Sequence, residues 1–372
     1  MTPSRRLWGV AGGVGAVATG AVATALTLAT RQRRGRKDPY ADEPLGLLAA
    51  DRTSTVAADD GTPLYVEEID PADGGEPDIT LVGVHGFALS TPSWHFQRRD
   101  LASLTLPRVR QVYYDHRSHG QSGSATPETS TIEQLADDLH SVLRAVAPEG
   151  PIVLVGHSMG GMTIMELAEQ DPALFAERVP GVLLIATAAG EVGARGLPRS
   201  MLSRYNPLTR GVGGLADWQP GLVEFVRAAG GQLTRQAVRR LAFGDSAVSP
   251  SLLDFILGLL EITPVRDLVN FIDTLGSHNR YAALAGLKHA HVLVIGADAD
   301  VMTPFSHSER IAAELPDAHL VRAHGAGHMV QLEQPDIVTS HLIDLLQRSC
   351  DMDGGSDPRR TPVRDMLWRL LP

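Results

Sequence analysis

The sequence predicts an α/β fold: a mostly parallel central sheet with helices on both faces and a helical insertion late in the chain. Three observations carry that expectation. Short runs of Val, Ile and Leu recur along the chain, and the stretches between them carry apolar residues at helical spacing. Strands alternating with helices build a parallel sheet that is covered on both sides. Glycine-rich or Asp- and His-containing turns follow several of the apolar runs, at the strand ends where such sheets bind ligands. With 43% hydrophobic and 20% charged residues over 372 positions, the chain can bury a sizeable core. A single cysteine, Cys350, leaves no internal disulfide.

The chain begins with a distinct segment, residues 1–37. Leu7–Thr30 holds 24 residues without a charge, a length that spans about 36 Å as a helix and suffices for a bilayer core. Arg5 and Arg6 precede it, and Arg31, Arg33, Arg34, Arg36 and Lys37 follow. The expectation is a single-pass membrane anchor through residues 7–30, with the remainder on the cytoplasmic side because the heavier positive charge follows the span. The alternative is a cleaved export signal, since Ser4-Arg5-Arg6-Leu7-Trp8 has the look of a degenerate twin-arginine signal. The net charge is −10 although the first forty residues carry seven basic and one acidic residue. The rest is therefore strongly acidic, which argues against nucleic-acid partners.

Residues 38–52, with Pro39 and Pro44, read as a linker. A first core part, 53–190, opens with a hairpin around Asp59-Asp60-Gly61. Strands are expected at Ile79–Val84, Val109–Tyr114, Ile152–Val155 and Val182–Ile185. Between them, Ile132, Leu135, Leu139 and Val142 share one helical face, and Thr131 suits the N-cap. Residues 191–288 are too long for a connection and read as several helices, among them Leu222–Ala229, Arg235–Ala242 and Ser251–Leu260. A second core part, 289–350, adds strands at Val292–Ile295 and His319–Ala323. Residues 351–372, rich in Gly, Asp, Pro and Arg, read as a flexible tail.

Chemistry concentrates at four strand ends. Ile152-Val-Leu-Val runs into Gly156-His157-Ser158-Met159-Gly160 and a helical pattern follows at once, which places a serine on a turn too tight for side chains on either side. A serine there sits beside a helix N-terminus, where free N–H groups favour an oxyanion. The hydroxyl needs a base and an orienting acid. Asp298 and Asp300 both follow one later strand, while His324 and His328 follow the last. Gly327 allows a tight turn before His328, which favours His328 as the base. Upstream, His85-Gly86-Phe87 leaves another strand with N–H groups that could share an oxyanion with Met159.

Four motifs give a domain-length resemblance to the α/β-hydrolase family of esterases, lipases and cofactor-free haloperoxidases. They are His85-Gly86-Phe87 with Trp94, Asp115-His116-Arg117-Ser118-His119-Gly120-Gln121-Ser122, Gly156-x-Ser158-x-Gly160, and Gly296-x-Asp298-x-Asp300 with Gly327-His328. Ser118 stands where the family usually has glycine, which puts the geometry of that loop in question. The resemblance implies a nucleophile at Ser158, an acid at Asp300, a base at His328, oxyanion N–H groups from Phe87 and Met159, and a helical cap at 191–288. It implies a serine hydrolase that cleaves carboxylic esters of lipophilic acyl groups through an acyl-enzyme, with a small-molecule acyl substrate. Thioester, amide and lactone hydrolysis and perhydrolysis use the same parts. A membrane-tethered scaffold or ligand-binding protein without catalysis is the rival from another class.

No cofactor or metal is expected. His85, His95, His116 and His119 lie on two loops without ligand spacing and read as solvated loop histidines. Gly12-Gly13-Val14-Gly15 does not follow a strand, which speaks against a dinucleotide site. His157, beside the serine, reads as pointing into local packing.

Overall fold

The computed structural model describes residues 38–192, 231–245 and 248–351, and elements are numbered over these residues. An antiparallel hairpin, β1 (Arg52–Ala57) and β2 (Pro63–Ile69), opens the sheet. β3 (Ile79–Val84), α1 (His95–Leu101), β4 (Val109–Tyr114), α2 (Ile132–Val146) and β5 (Ile152–His157) follow. Then come α3 (Met159–Gln170), α4 (Pro172–Arg178) and β6 (Gly181–Ile185). The insertion between β6 and β7 holds α5 (Gly231–Ala242), α6 (Pro250–Ile262) and α7 (Val265–Ser277) among the described residues. The chain returns through β7 (His291–Ala297), α8 (Phe305–Glu314), β8 (His319–Ala323), α9 (Val330–Glu333) and α10 (Pro335–Asp351).

The strands form one sheet in the order β1-β2-β4-β3-β5-β6-β7-β8. Only the β1–β2 and β2–β4 pairs are antiparallel. Why the central strands read as unbroken apolar runs is plain from the two faces. Leu81, Val153, Val155, Leu183 and Ile295 pack with Leu101 of α1 and Leu342, Leu345 and Leu346 of α10. Their alternates Val82, Leu154, Leu184 and Val294 pack with Leu139 of α2, Ile164 of α3 and Ile311 of α8. Strands buried on both faces have no polar side to show. Each such side chain contributes roughly 1.5–3 kcal/mol of burial. Thr131 caps α2, its Oγ1 accepting from the Gln134 N–H at 3.1 Å.

The order places β3 beside β5, yet β3 leads toward β4 on one side and β5 toward β6 on the other. Connections that diverge from adjacent parallel strands leave a crevice at their C-terminal ends. Both motif-bearing turns, after β3 and after β5, stand there.

Asp38–Glu43 and Ser249–Ser251 belong to a small unit of their own, in which the Asp38 carboxylate accepts from the Ser251 N–H at 2.9 Å and from the Ser249 and Ser251 hydroxyls. From Pro44 onward the stretch read as linker contacts the sheet unit: the Gly46 N–H donates to His95 Nδ1 at 3.2 Å and the Leu48 carbonyl accepts from Arg98 at 3.1 Å.

The expectation of a single-pass membrane anchor with a cytoplasmic catalytic side is corrected. No helix among the described residues is long and apolar enough to cross a membrane. The run Leu7–Thr30, with the twin-arginine-like stretch before it, lies outside the described residues. The expected helix Leu222–Ala229 and the tail beyond Asp351 also lie outside the described residues.

Candidate active site

β5 ends at His157 and α3 begins at Met159, so Ser158 alone makes the turn. Its backbone sits at φ 52° and ψ −116°, a region that costs a non-glycine residue about 1–3 kcal/mol. The surroundings hold it there: the Ser158 N–H donates to the Ile185 carbonyl at 2.9 Å, and the Thr187 hydroxyl donates to the Ser158 carbonyl at 2.7 Å. Close approach of α3 to β3 requires Gly160, where an added Cβ would lie 2.0 Å from the Val84 carbonyl oxygen.

Residues 170 positions apart meet at this turn. His328 Nε2 lies 3.0 Å from Ser158 Oγ, and His328 Nδ1 lies 2.9 Å from Asp300 Oδ2. A carboxylate opposite Nδ1 fixes the tautomer: Nδ1–H donates to Asp300, and Nε2 is left to accept from the serine hydroxyl. All three residues are buried. Asp300 is itself held, its Oδ1 accepting from the Met302 and Thr303 N–H groups at 2.8 and 2.9 Å. The Thr303 hydroxyl stands 2.8 Å from Oδ2. Burial alone would raise the Asp300 carboxyl, but the facing imidazole and the hydrogen bonds outweigh it and hold the group below the usual carboxylate range.

The turn after β3 lies against the serine. A Cβ on Gly86 would come within 3.2 Å of Ser158 Cβ and 2.7 Å of His157 Nδ1, so only glycine admits this contact. Among the described residues, neither the Phe87 N–H nor the Met159 N–H has a hydrogen-bond acceptor. Beside them Ile132, Leu135, Met162, Ala188 and Phe271 form an apolar cluster with Met159, against which Phe87 and Leu275 pack.

The second Asp–His pair behaves differently. Asp298 and His324 are exposed, with His324 Nδ1 2.9 Å from Asp298 Oδ2, and Asp298 Oδ1 accepts from the Gly325 N–H at 2.7 Å. It pins a loop and does not contact Ser158.

The reading of His85, His95, His116 and His119 as solvated is corrected, because all four are buried. Backbone groups make that possible. His85 Nδ1 donates to the Gly86 carbonyl at 2.8 Å, His116 Nε2 to the His85 carbonyl at 3.1 Å, and His119 Nδ1 to the Arg117 carbonyl at 2.9 Å. Burial drives His116 down to about 3 and His119 to about 4, so both are neutral near pH 7. Among the described residues, no three His, Cys, Asp or Glu side chains are arranged to hold a metal ion.

The loop after β4 is fixed by Arg117, fully buried, whose guanidinium meets both oxygens of buried Asp138 at 2.6 Å and Asp60 at 2.8 and 3.3 Å. Ser118 takes the left-handed φ of 65° that glycine would adopt freely, and its Oγ accepts from the Ala125 N–H at 2.8 Å. The substitution thus keeps the loop closed at some cost in backbone strain.

Sequence reading missed two supports. Thr303 braces Asp300, and the Asp-x-x-Thr spacing is the available signal, since Asp side chains commonly accept from N–H groups two and three residues on. His157 is packed as expected, but in a specific place: its Nε2–H donates to the His328 carbonyl at 2.9 Å, under the imidazole. Burial, then the neighbouring His328, depress His157 to about 3, so it stays neutral. No local signal pairs residues so distant in sequence.

Comparisons with known proteins agree with this architecture. A match to the alpha/beta hydrolase family covers residues 81–340. The chain is 25% identical over 278 residues to the dihydrolipoyllysine-residue acetyltransferase component of the acetoin cleaving system of Pseudomonas putida, covering 74% of this chain and 65% of that protein, a little under two thirds of its length. It is 26% identical over 258 residues to the proline iminopeptidase PfmaB of Pestalotiopsis fici, covering 64% of this chain and 82% of that protein. The solved structure of a thermophilic esterase from Thermogutta terrifontis superposes with a TM-score of 0.62 at 24% identity, over 80% of this chain and 99% of that one. With the family match spanning most of the sheet and all four strand-end turns, the chain belongs to the alpha/beta hydrolase family of enzymes.

Proposed function

We propose that the protein hydrolyses carboxylic esters through an acyl-enzyme on Ser158. The observation that carries this reading is the Ser158–His328–Asp300 relay, with successive contacts of 3.0 and 2.9 Å at the mouth of the crevice. His328 Nε2 takes the hydroxyl proton as Oγ bonds to the ester carbonyl carbon, and Asp300 stabilises the imidazolium. The carbonyl oxygen becomes an oxyanion that the N–H groups of Phe87 and Met159 receive. Collapse breaks the bond to the alcohol oxygen, which leaves with the proton from Nε2. Water then gives a proton to Nε2 and attacks the acyl carbon; the acid departs and Ser158 recovers its hydrogen.

The apolar cluster around Met162 and Phe271, beside Met159 and Phe87, supports a lipophilic acyl side of the substrate. The described helices of the insertion, α5, α6 and α7, serve as its cap. A panel of p-nitrophenyl esters of rising chain length, with amide and thioester counterparts, tests the reading. Ester turnover that grows with acyl length is expected; turnover of none of the esters would overturn it.

A further inference from the structure

We propose that Glu333 is a positioning residue that couples the helical insertion to His328. The backbone N–H groups of the two residues that flank His328 are both held from outside their own loop. The Gly327 N–H donates to Glu333 Oε1 at 2.6 Å, and the Met329 N–H donates to the Ala242 carbonyl, at the end of α5, at 2.8 Å. Glu333 also reaches the insertion directly: the Gly244 N–H donates to its Oε2 at 3.0 Å, and the Asp245 N–H lies 3.4 Å from the same oxygen. One carboxylate thus joins the residue before His328 to the segment after α5.

Nothing separates the two backbones. An added Cβ on Gly244 would lie 2.4 Å from the Gly325 carbonyl oxygen, and one on Gly327 would lie 2.4 Å from the Gly244 nitrogen. Phe243, which joins Ala242 to Gly244, is buried. Burial pushes the Glu333 carboxyl up, against the N–H groups of Gly327, Gly244 and Asp245 that favour its charged form. Both carboxyl oxygens accept N–H donors, so an amide cannot replace the group: the NH2 of glutamine would face an N–H. Displacing Ala242–Asp245 removes the Ala242 acceptor and one end of the clamp together, and with them the register of His328 against Ser158. Docking of this segment is therefore what sets the base.

The kinetic arm of the test rests on the hydrolytic reading; a spectroscopic arm does not. In the full chain, Glu333→Gln should lower kcat for p-nitrophenyl butyrate about 10- to 100-fold, as a displacement near 1 Å does, with KM unchanged within about two-fold. Without substrate, the downfield His328 Nδ1 proton resonance of the wild type should broaden or vanish in the variant. Gly244→Ala, which forces the segment away while leaving Glu333 intact, should give the same pattern, and the double variant should lose no more than the worse single one. Additive losses, or a kcat within about two-fold of wild type with the resonance unchanged, would overturn the proposal. If Glu333→Gln unfolds, Gly244→Ala decides alone. A wild type with no ester turnover sinks the hydrolytic reading, and the resonance still judges the clamp.

Discussion

Replacing Asp300 by Asn separates the two aspartates that follow β7. The buried carboxylate accepts the Met302 and Thr303 N–H groups through Oδ1 at 2.8 and 2.9 Å, and faces His328 Nδ1 through Oδ2 at 2.9 Å. An amide keeps its oxygen on the two N–H donors, since the flipped orientation would set NH2 against both. The NH2 group then donates to Nδ1 and forces the imidazole proton onto Nε2, which faces Ser158 Oγ at 3.0 Å. A protonated Nε2 cannot take the serine proton, and the imidazolium has lost its anion. The expected loss in kcat is about 10⁴-fold, or about 5 kcal/mol of transition-state stabilisation. Asp298→Asn disturbs only the exposed contacts to His324 and Gly325, so it should cost no more than a few-fold. Initial rates on a p-nitrophenyl ester, with thermal melts to show that both variants fold, make the comparison. A loss under about tenfold for Asp300→Asn, or a larger one for Asp298→Asn, would refute the assignment.

Two further predictions concern stability. Asp138→Ala leaves the Arg117 guanidinium buried with Asp60 alone, and should lower the unfolding free energy by about 3 kcal/mol in urea titrations; a change under about 1 would count against the buried pair as the fastener of that loop. Burial raises the Asp115 carboxyl from 3.8 to about 7, against the N–H groups of Gln121 and Thr91. Folding therefore favours its protonated form, and its contribution is fully present below 3.8 and lost as pH rises through about 7. Wild type should lose stability relative to Asp115→Asn across that window, and a pH-independent difference would contradict the argument.

How much of this was legible in the sequence follows from what the signals are made of. Strands buried on both faces announce themselves as continuous apolar runs, and β3, β4 and β8 begin and end at the residues expected. The cap of α2 was readable because it is local, Thr131 serving an N–H three residues on. For the candidate site, the turn residues were visible for the same reason. The braces behind them were not: His157 meets the His328 carbonyl across 171 positions, and Glu333 meets Gly244 across 89. Such contacts depend on sheet order, which composition and spacing do not encode. The loop histidines read as solvated because polarity suggests water, whereas inside the protein His85, His116 and His119 each place one ring N–H on a backbone carbonyl.

The central claim is that Ser158 is the nucleophile. The most direct test is intact-protein mass spectrometry after fluorophosphonate treatment, with peptide mapping, on wild type and Ser158→Ala. The account predicts one adduct per chain on Ser158, with ester turnover lost in proportion to labelling, and a folded Ser158→Ala protein that neither labels nor turns over. An unlabelled wild type, an adduct on another residue, or ester turnover surviving in Ser158→Ala at near the wild-type rate would contradict it.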